Sequence, residues 1–270
     1  MNSSKVSIIA LLLCGPNAWA LAQEDSFMLQ IPAGLYESFV PEKKTPRAPL
    51  KAPVIPVAAF AIDRTPVTNR QFLQFVQQNP SWQRNKVSRL FADPSYLNHW
   101  VDERTPGPRA PDASPVVHVS WFAARAYCRA QGKRLPTTYE WEYVAGPEFY
   151  GRTPEDREKF LQVILEWYSR PSAAVLGAVG AGQPSEHRLG VQDLHGLIWE
   201  WTSDFSSNIA STEARSNSAP EAAEFCGAAT LGGKDPSNYA SYMRFAFRSS
   251  LKGGFSLGNL GFRCARDRAP

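Results

Sequence analysis

Apolar side chains recur every three or four residues in three segments, and a residue that can cap a helix precedes each segment. The caps are Thr68 with Gln71 as a capping box, Ser120, and Thr153 followed by proline; the apolar stripes are Phe72-Phe75-Val76, Trp121-Ala124-Cys128 and Phe160-Ile164-Trp167. A second capping box, Thr137 with Glu140, predicts a short helix over Thr137–Ala145. The pattern therefore predicts four helices, the second of which ends at Gly132.

Short apolar runs at Phe27–Ile31 and Phe60–Ile62 predict strands, and prolines dominate the segments between the predicted elements. Residues 41–56 hold five prolines, which is typical of an extended surface loop, and a second proline-rich loop covers 94–115. After Arg170 the chain changes to Gly, Ser, Asn and short apolar runs, which predicts coil with scattered short strands. Because no internal repeat or long linker divides the chain, the pattern favours one loop-rich α+β domain.

The N-terminus has the pattern of a secretory signal peptide. Lys5 precedes the apolar run Val6–Cys14, and the small residues that follow, Ala18-Trp19-Ala20, have the spacing that a signal peptidase reads. We therefore expect residues 1–22 to be removed, which leaves a domain over 23–270 in the periplasm or outside the cell. No later stretch approaches the roughly 18 apolar residues of a membrane span, so the domain is not expected to be membrane-embedded.

Composition narrows the classes of protein that the chain can belong to. The 270 residues are 43% hydrophobic, enough to bury a sizeable core, and 29 Lys and Arg against 25 Asp and Glu give a net charge of only +4. With so small an excess of basic residues, the composition does not indicate a basic surface that binds nucleic acid. After signal removal Cys128, Cys226 and Cys264 remain, and in an oxidising compartment two of them are expected to pair, although spacing alone leaves all three pairings open.

The chain lacks the short sequence motifs that are typical of several common classes of enzyme. The chain has no Gly-x-Ser-x-Gly, Walker A or Gly-x-Gly-x-x-Gly motif, and no Cys-x-x-Cys motif for a zinc knuckle or a redox site. Glu140 and Glu142 would face opposite sides of the predicted short helix and cannot act as a pair. The four histidines lie at no metal-ligand spacing; they are His99, His118, His187 and His195.

Three longer segments carry a resemblance to a known family. They read WFAARAYCRAQGKRLPTTYEWEYVA at 121–145, GVQDLHGLIWEWTSD at 190–204 and NLGFRCARD at 259–267. In this order and spacing they closely resemble the formylglycine-generating enzyme (sulfatase-modifying factor) family. The resemblance implies a single loop-rich domain related to C-type lectins, with little regular secondary structure. It also implies a disulfide between Cys128 and Cys264.

The chain departs from the family at the catalytic centre. The family binds copper(I) through two cysteines five residues apart, and soft thiolates suit that ion. Aligned backwards from Cys264, those positions are Asp235 and Ala240, while Arg244 and Arg248 of the following arginine-rich strand are retained. Copper is therefore not expected at the family's site, and the chain is not expected to form formylglycine by the family's route.

The resemblance also implies a surface groove that takes a protein or small-molecule substrate. Tyr239 and Asn259 match family residues that line the groove. With Arg244 and the remaining thiol of Cys226 they form the candidate catalytic set. The alternative for Cys226 is a buried small apolar residue.

A structural calcium ion is the one cofactor that the resemblance implies. In the family, a glutamate and nearby backbone carbonyl groups hold calcium, and here these would be Glu200 with the carbonyls of His195, Gly196 and Ile198. Hard oxygen ligands on a tight turn suit that ion. The alternative is that Glu200 caps a backbone group or pairs with an arginine.

The leading functional hypothesis is a monomeric periplasmic accessory protein that acts in the maturation of a denitrification enzyme such as copper nitrite reductase. Three segments resemble accessory proteins of copper nitrite reductase clusters: Phe91-Ala92-Asp93, Leu194-His195-Gly196 and Ala246–Leu251. Three alternatives stay open. They are metal- or oxygen-dependent oxidation of a small molecule such as a siderophore chromophore, a non-catalytic lectin-like binding module, and retained formylglycine-generating activity.

Overall fold

A computed structural model describes residues 28–38, 53–151, 153–181, 187–205 and 236–268. Within these residues the chain forms seven short strands and five α-helices joined by long loops, which confirms the predicted loop-rich α+β class. The predicted signal peptide, Phe27, Cys226 and Asp235 lie outside the described residues.

The strands form three small sheets. Strands β1 (Met28–Ile31), β4 (Phe60–Asp63) and β7 (Ala265–Asp267) make an antiparallel sheet in the order β1-β4-β7; β2 (Gly34–Glu37) pairs antiparallel with β3 (Val54–Val57); β5 (Trp199–Glu200) pairs parallel with β6 (Leu260–Gly261). All four residues of β4 are buried, and Ile62 faces both Leu29 of β1 and Ala265 of β7 in the register. The central sheet therefore joins segments from opposite ends of the described chain.

All four predicted helices form, and each begins at its predicted cap. They are α1 (Asn69–Gln78), α2 (Trp121–Ala130), α3 (Thr138–Val144) and α4 (Pro154–Ser169), capped by Thr68, Ser120, Thr137 and Thr153. Each cap hydroxyl accepts a hydrogen bond from the third residue's backbone N–H, which satisfies one of the free donors of the first turn. Short 3₁₀ helices follow α1 and α3, at Pro80–Trp82 and Pro147–Phe149. Among the described residues, no helix has the length and apolar character needed to cross a bilayer.

The arginine-rich segment near the C-terminus is a helix, and this corrects the expectation of a strand within coil. Helix α5 spans Pro236–Ser250. The segment contains no β-branched residue, and its central residues include Ala, Met and Arg, which favour a helix. In a helix Arg244 and Arg248 lie on one face, because residues four apart are neighbours.

The two proline-rich loops differ in how well the sequence predicted them. Strand β3 begins inside the loop expected over 41–56, and Pro56 is accepted there because β3 pairs with a single neighbour. The second loop, 94–115, is confirmed, since no helix or strand lies between Trp82 and Trp121.

A disulfide joins Cys128 in α2 to Cys264 just before β7, which confirms the pairing that the family resemblance implied. The Cα atoms of the two cysteines are 5.6 Å apart across a sequence separation of 136 residues. Both cysteines are fully buried, beside Phe72 and Phe262 in the larger of two apolar clusters. The bridge therefore fixes α2 against the C-terminal segment inside the core.

The segment GKRLPT forms a rigid corner between α2 and α3. Gly132 takes φ +65°, a conformation that favours glycine, one residue after the C-cap of α2. Lys133 then pairs with Asp63 of β4 at 2.9 Å, and Arg134 pairs with both Glu140 and Asp267 at 2.6 Å. These contacts tie the corner to the central sheet.

Removing the disulfide should destabilise the domain strongly. For a closed loop of this length the chain-entropy model gives about 5 kcal/mol, and natural disulfides of small domains contribute about 2–5 kcal/mol. We expect the double variant Cys128→Ala/Cys264→Ala to melt well below the wild type in thermal unfolding followed by circular dichroism. Cys226→Ser is the control and should melt at the wild-type temperature; an equal loss in both variants would contradict the assigned pairing.

Candidate functional site

A buried carboxylate binds two arginines where α5 meets α3. Glu142 accepts hydrogen bonds from Nε and Nη2 of Arg244 at 2.9 and 2.6 Å, and from Nη1 of Arg248 at 2.6 Å. The side chain of Glu142 is fully buried, and the two arginine side chains are almost so. The cluster of Glu142, Arg244 and Arg248, called here the charge cluster, therefore fixes helix α5 on the domain.

The charges within the cluster determine the ionisation of Glu142. Burial alone would raise the pKa of this carboxyl group, but Arg244 and Arg248 hold its pKa below the usual value. Glu142 in turn raises the pKa of Arg244, against the effect of burial. Glu142 is therefore ionised at neutral pH, and all its charge is engaged by the two guanidinium groups.

The ring of Trp141 lies beneath both arginines and connects them to a second buried ion pair. The guanidinium carbons of Arg244 and Arg248 lie 5.6 and 4.7 Å from the centre of the Trp141 ring. The indole N–H of Trp141 donates to Glu200 at 2.8 Å. Glu200 also accepts two hydrogen bonds from Arg263, at 2.8 and 2.7 Å.

Four half-buried aromatic residues form a continuous group beside the charge cluster. They come from three elements and are Trp167 and Tyr168 of α4, Trp199 of β5 and Phe247 of α5. The ring of Trp199 lies 5.2 Å from Trp167, 5.1 Å from Tyr168 and 4.5 Å from Phe247. The hydroxyl of Tyr168 accepts from Arg244 at 3.2 Å, so this aromatic cluster is joined to the charge cluster.

The structure brings Arg244 and Asn259 to the aromatic cluster and leaves Tyr239 exposed. Arg244 contacts the aromatic cluster through Tyr168, and the backbone oxygen of Asn259 accepts from the backbone N–H of Trp199 at 2.8 Å. Tyr239 lies on the first turns of α5 and is 44% exposed. Ala240, which the resemblance aligns with one family cysteine, is buried on the same helix. The predicted role of Cys226 stays a prediction, because it lies outside the described residues.

The turn expected to hold calcium is closed by an arginine. Both carboxylate oxygens of Glu200 accept from Arg263, and the side chains of this pair are fully buried. The guanidinium group thus supplies the positive charge that a cation would bring and engages both oxygens of the carboxylate. Gly196 takes φ +93°, Ile198 is buried, and the His195 ring contacts the carbonyl of Ala145. The geometry favours the alternative of arginine pairing, and calcium here stays a prediction.

Several side chains would have to act together to bind a metal ion elsewhere in the described residues. Among the residues that the structure describes, no group of three or more His, Cys, Asp or Glu side chains could hold a metal ion. The sulfurs of Cys128 and Cys264 are joined to each other. Within the described ranges, therefore, no thiolate is available to bind copper(I).

Sequence reasoning missed the charge cluster and the aromatic cluster. It correctly separated Glu140, which pairs with Arg134, from Glu142, which pairs with Arg244. It expected the arginines on a strand, where residues four apart share a face but lie about 13 Å apart and are not neighbours. The four-residue spacing of Arg244 and Arg248 was the available signal, since it matches a helix face.

Comparisons with known proteins agree with the fold and identify relatives. The family model described as "Sulfatase-modifying factor enzyme 1-like domain" matches residues 20–268. A formylglycine-generating enzyme of Streptomyces coelicolor is 33% identical over 77% of this chain and 78% of its own. An inactive Cα-formylglycine-generating enzyme 2 of Bos taurus is 31% identical over 65% of this chain and 69% of its own. The solved structure of PvdO from Pseudomonas aeruginosa has the same fold, with a TM-score of 0.50, 18% identity, and coverage of 89% of this chain and 94% of its own.

Replacing Glu142 should destabilise the domain and change its response to acid. Glu142→Gln leaves two buried arginines without their counter-charge, and breaking such a cluster costs about 3–5 kcal/mol. Because the folded-state pKa of Glu142 is depressed, its stabilisation is present above about pH 4.5 and is lost as pH falls further. In urea unfolding, the difference between wild type and variant should therefore be largest near neutral pH and should shrink below pH ~4.5.

The matched control for this variant is Glu166→Gln. Glu166 pairs with Arg170 on the exposed surface of α4, so its loss should cost less than about 1 kcal/mol. A Glu142→Gln protein as stable as Glu166→Gln across the pH range would contradict the assigned charge cluster.

Proposed function

The chain belongs to the family of sulfatase-modifying factor enzyme 1-like domains. From this premise we propose that it is a periplasmic or secreted accessory protein, which binds its partner without copper-thiolate chemistry. We propose that it acts as a monomer in the maturation of a denitrification enzyme such as copper nitrite reductase. The aromatic cluster is the proposed binding surface.

The observation that carries this proposal is that the cysteine sulfurs of the described residues are bonded to each other. Copper(I) chemistry of the formylglycine-generating kind needs free thiolates. Within the described residues the two cysteines are bonded to each other, and the sequence resemblance aligns Ala240 with one of the family's cysteines. A relative named as an inactive formylglycine-generating enzyme supports the same conclusion, because the framework occurs in a protein without that activity.

The chemistry of the site supports binding rather than proton transfer. Glu142 is ionised and shared by Arg244 and Arg248, so it cannot donate a proton at neutral pH. The neighbouring rings of Trp167 and Trp199 are half-buried, which leaves part of each ring to contact a partner. Aromatic side chains that are anchored by packing make strong contacts at protein interfaces, because little conformational entropy is lost on binding.

The choice of partner rests on the sequence. The segments around Phe91, His195 and Ala246 resemble accessory proteins of copper nitrite reductase clusters. Phe247, in the third of these segments, belongs to the aromatic cluster. The position of Phe247 supports the choice of partner, because a part of that resemblance coincides with the proposed binding surface.

The absence of formylglycine chemistry can be tested directly. We expect no loss of mass from a Cys-x-Pro-x-Arg peptide incubated with the purified protein, copper(I) and oxygen. The Streptomyces coelicolor formylglycine-generating enzyme is the positive control for the same peptide. Copper binding should be negligible in wild type and in Cys226→Ser alike; conversion of the peptide, or copper binding that requires Cys226, would refute the proposal.

Partner binding can be tested with one tryptophan and its matched control. We expect immobilised wild-type protein to capture copper-free nitrite reductase from the same bacterium, and Trp167→Ala to weaken capture about tenfold or more, equal to about 1.4 kcal/mol. The control Trp121→Ala removes a half-buried tryptophan that packs on Phe205, outside the aromatic cluster. Equal effects of the two variants, or no capture by the wild type, would contradict the assigned surface or partner.

A further inference from the structure

A small pocket separate from the aromatic cluster lies where the loop 94–118 meets the segment before β6. Its volume is about 40 Å³, and its lining includes Asn69, His99, Arg109, Ser114, His118 and Gly258. One water needs about 10–15 Å³, so the pocket can hold a few heavy atoms and no more. We call it the histidine pocket.

His99 is the least satisfied polar side chain of the pocket. It is 8% exposed, and neither of its ring nitrogens has a hydrogen-bond partner among the residues that the structure describes. An unpaired buried polar group costs about 1–3 kcal/mol, so native proteins rarely keep one without a role. The ring is therefore available to bind something that enters the pocket.

His118 is held firmly against the ring of His99. Its backbone takes φ +54°, an unusual conformation for a residue with a side chain, and is fixed by hydrogen bonds to Leu257 at 2.9 Å and from Leu97 at 2.8 Å. Nδ1 lies 3.1 Å from the carbonyl oxygen of Ser256, and since that oxygen can only accept, Nδ1 carries the proton. The two imidazole rings lie 4.8 Å apart.

Gly258 keeps the space beside His118 open. A Cβ atom at this position would lie 3.0 Å from Nε2 of His118, closer than almost all real contacts of this kind. Gly258 does not have a positive φ, so the backbone does not require glycine here. The position matters because glycine has no side chain to fill the pocket.

The charges around the pocket favour an anion. Among the described residues that line it none is acidic, and the exposed Arg109 contributes a positive charge. Burial lowers the pKa of His99 to about 3, and His118, Arg109 and Arg84 lower it further. Burial also lowers the pKa of His118, although Asp93, whose carboxylate accepts from the backbone of Ser256, opposes this. Both rings are neutral at pH 7 and lie in a positive field.

We propose that the histidine pocket binds a small carboxylate of about the size of formate, held by Arg109 and the imidazole of His99. Arg109 supplies the charge-assisted hydrogen bonds, and a ring N–H of His99 donates to the second oxygen. The site is independent of the proposed partner and of the aromatic cluster.

Binding of an anion should be linked to proton uptake. A carboxylate beside His99 stabilises the imidazolium form, in which both ring nitrogens donate. Affinity should therefore rise as pH falls from 7 towards 4, by up to about tenfold per pH unit. His99 is the group expected to take up the proton, because neither of its ring nitrogens has another partner among the described residues.

Formate is the probe for this site. We expect calorimetry and the ring ¹⁵N signals of the full-length protein to report formate binding that moves the His99 signals, with weaker binding of the larger propionate. Arg109→Gln should weaken formate binding about tenfold or more, and Gly258→Ala should abolish it by filling the pocket; both positions are exposed, so both variants should fold. The matched control is Arg104→Gln, an exposed arginine of the same loop outside the pocket lining.

Three results would overturn the proposal. One is a wild-type protein that shows no formate binding between pH 4 and 7. Another is equal binding by Arg109→Gln and Arg104→Gln. The third is binding of Zn²⁺ with shifts of His99 and no response to formate, which would make the pocket a cation site.

Discussion

The domain is organised around one buried indole that lies between two ion pairs. Trp141 places its ring face beneath Arg244 and Arg248 and donates its N–H to Glu200, which is itself paired with Arg263. Buried charges are costly unless every one has a partner, and here the two carboxylates and three guanidinium groups satisfy one another. Because these residues come from α3, β5, α5 and the segment before β7, the ion pairs determine how those four parts of the chain are arranged.

This arrangement explains why the fold can be stable in a chain for which the family's metal chemistry is not expected. The arginines of α5 are engaged by Glu142, and the carboxylate of Glu200 is engaged by Arg263. Neither ion pair needs a bound metal for its charge balance. The aromatic cluster is built on the same elements, so its rings are held in place by the same contacts.

Local signals in the sequence were enough to find much of the fold. The caps at Thr68, Ser120, Thr137 and Thr153 act through hydrogen bonds three residues away, and all four helices begin where they predict. The partners of Glu142 are more than 100 residues distant in the chain, and no local pattern reveals them. The histidine pocket was hidden for a similar reason, since no local pattern indicates that the rings of His99 and His118 meet. The pairing of Cys128 with Cys264 came from the family resemblance, because spacing alone left three pairings open.

The order of the central sheet determines when the domain can finish folding. β4, its middle strand, needs β7 as one of its two neighbours, and the segment just before β7 supplies Phe262, Arg263 and Cys264 to the interior. An emerging nascent chain therefore lacks part of its core until residue 267 has been synthesised. Contacts between such distant segments make folding slow compared with helix formation. The central sheet can accordingly be completed only after residue 267 has been synthesised, and until then β4 presents an unpaired edge that a chaperone could protect.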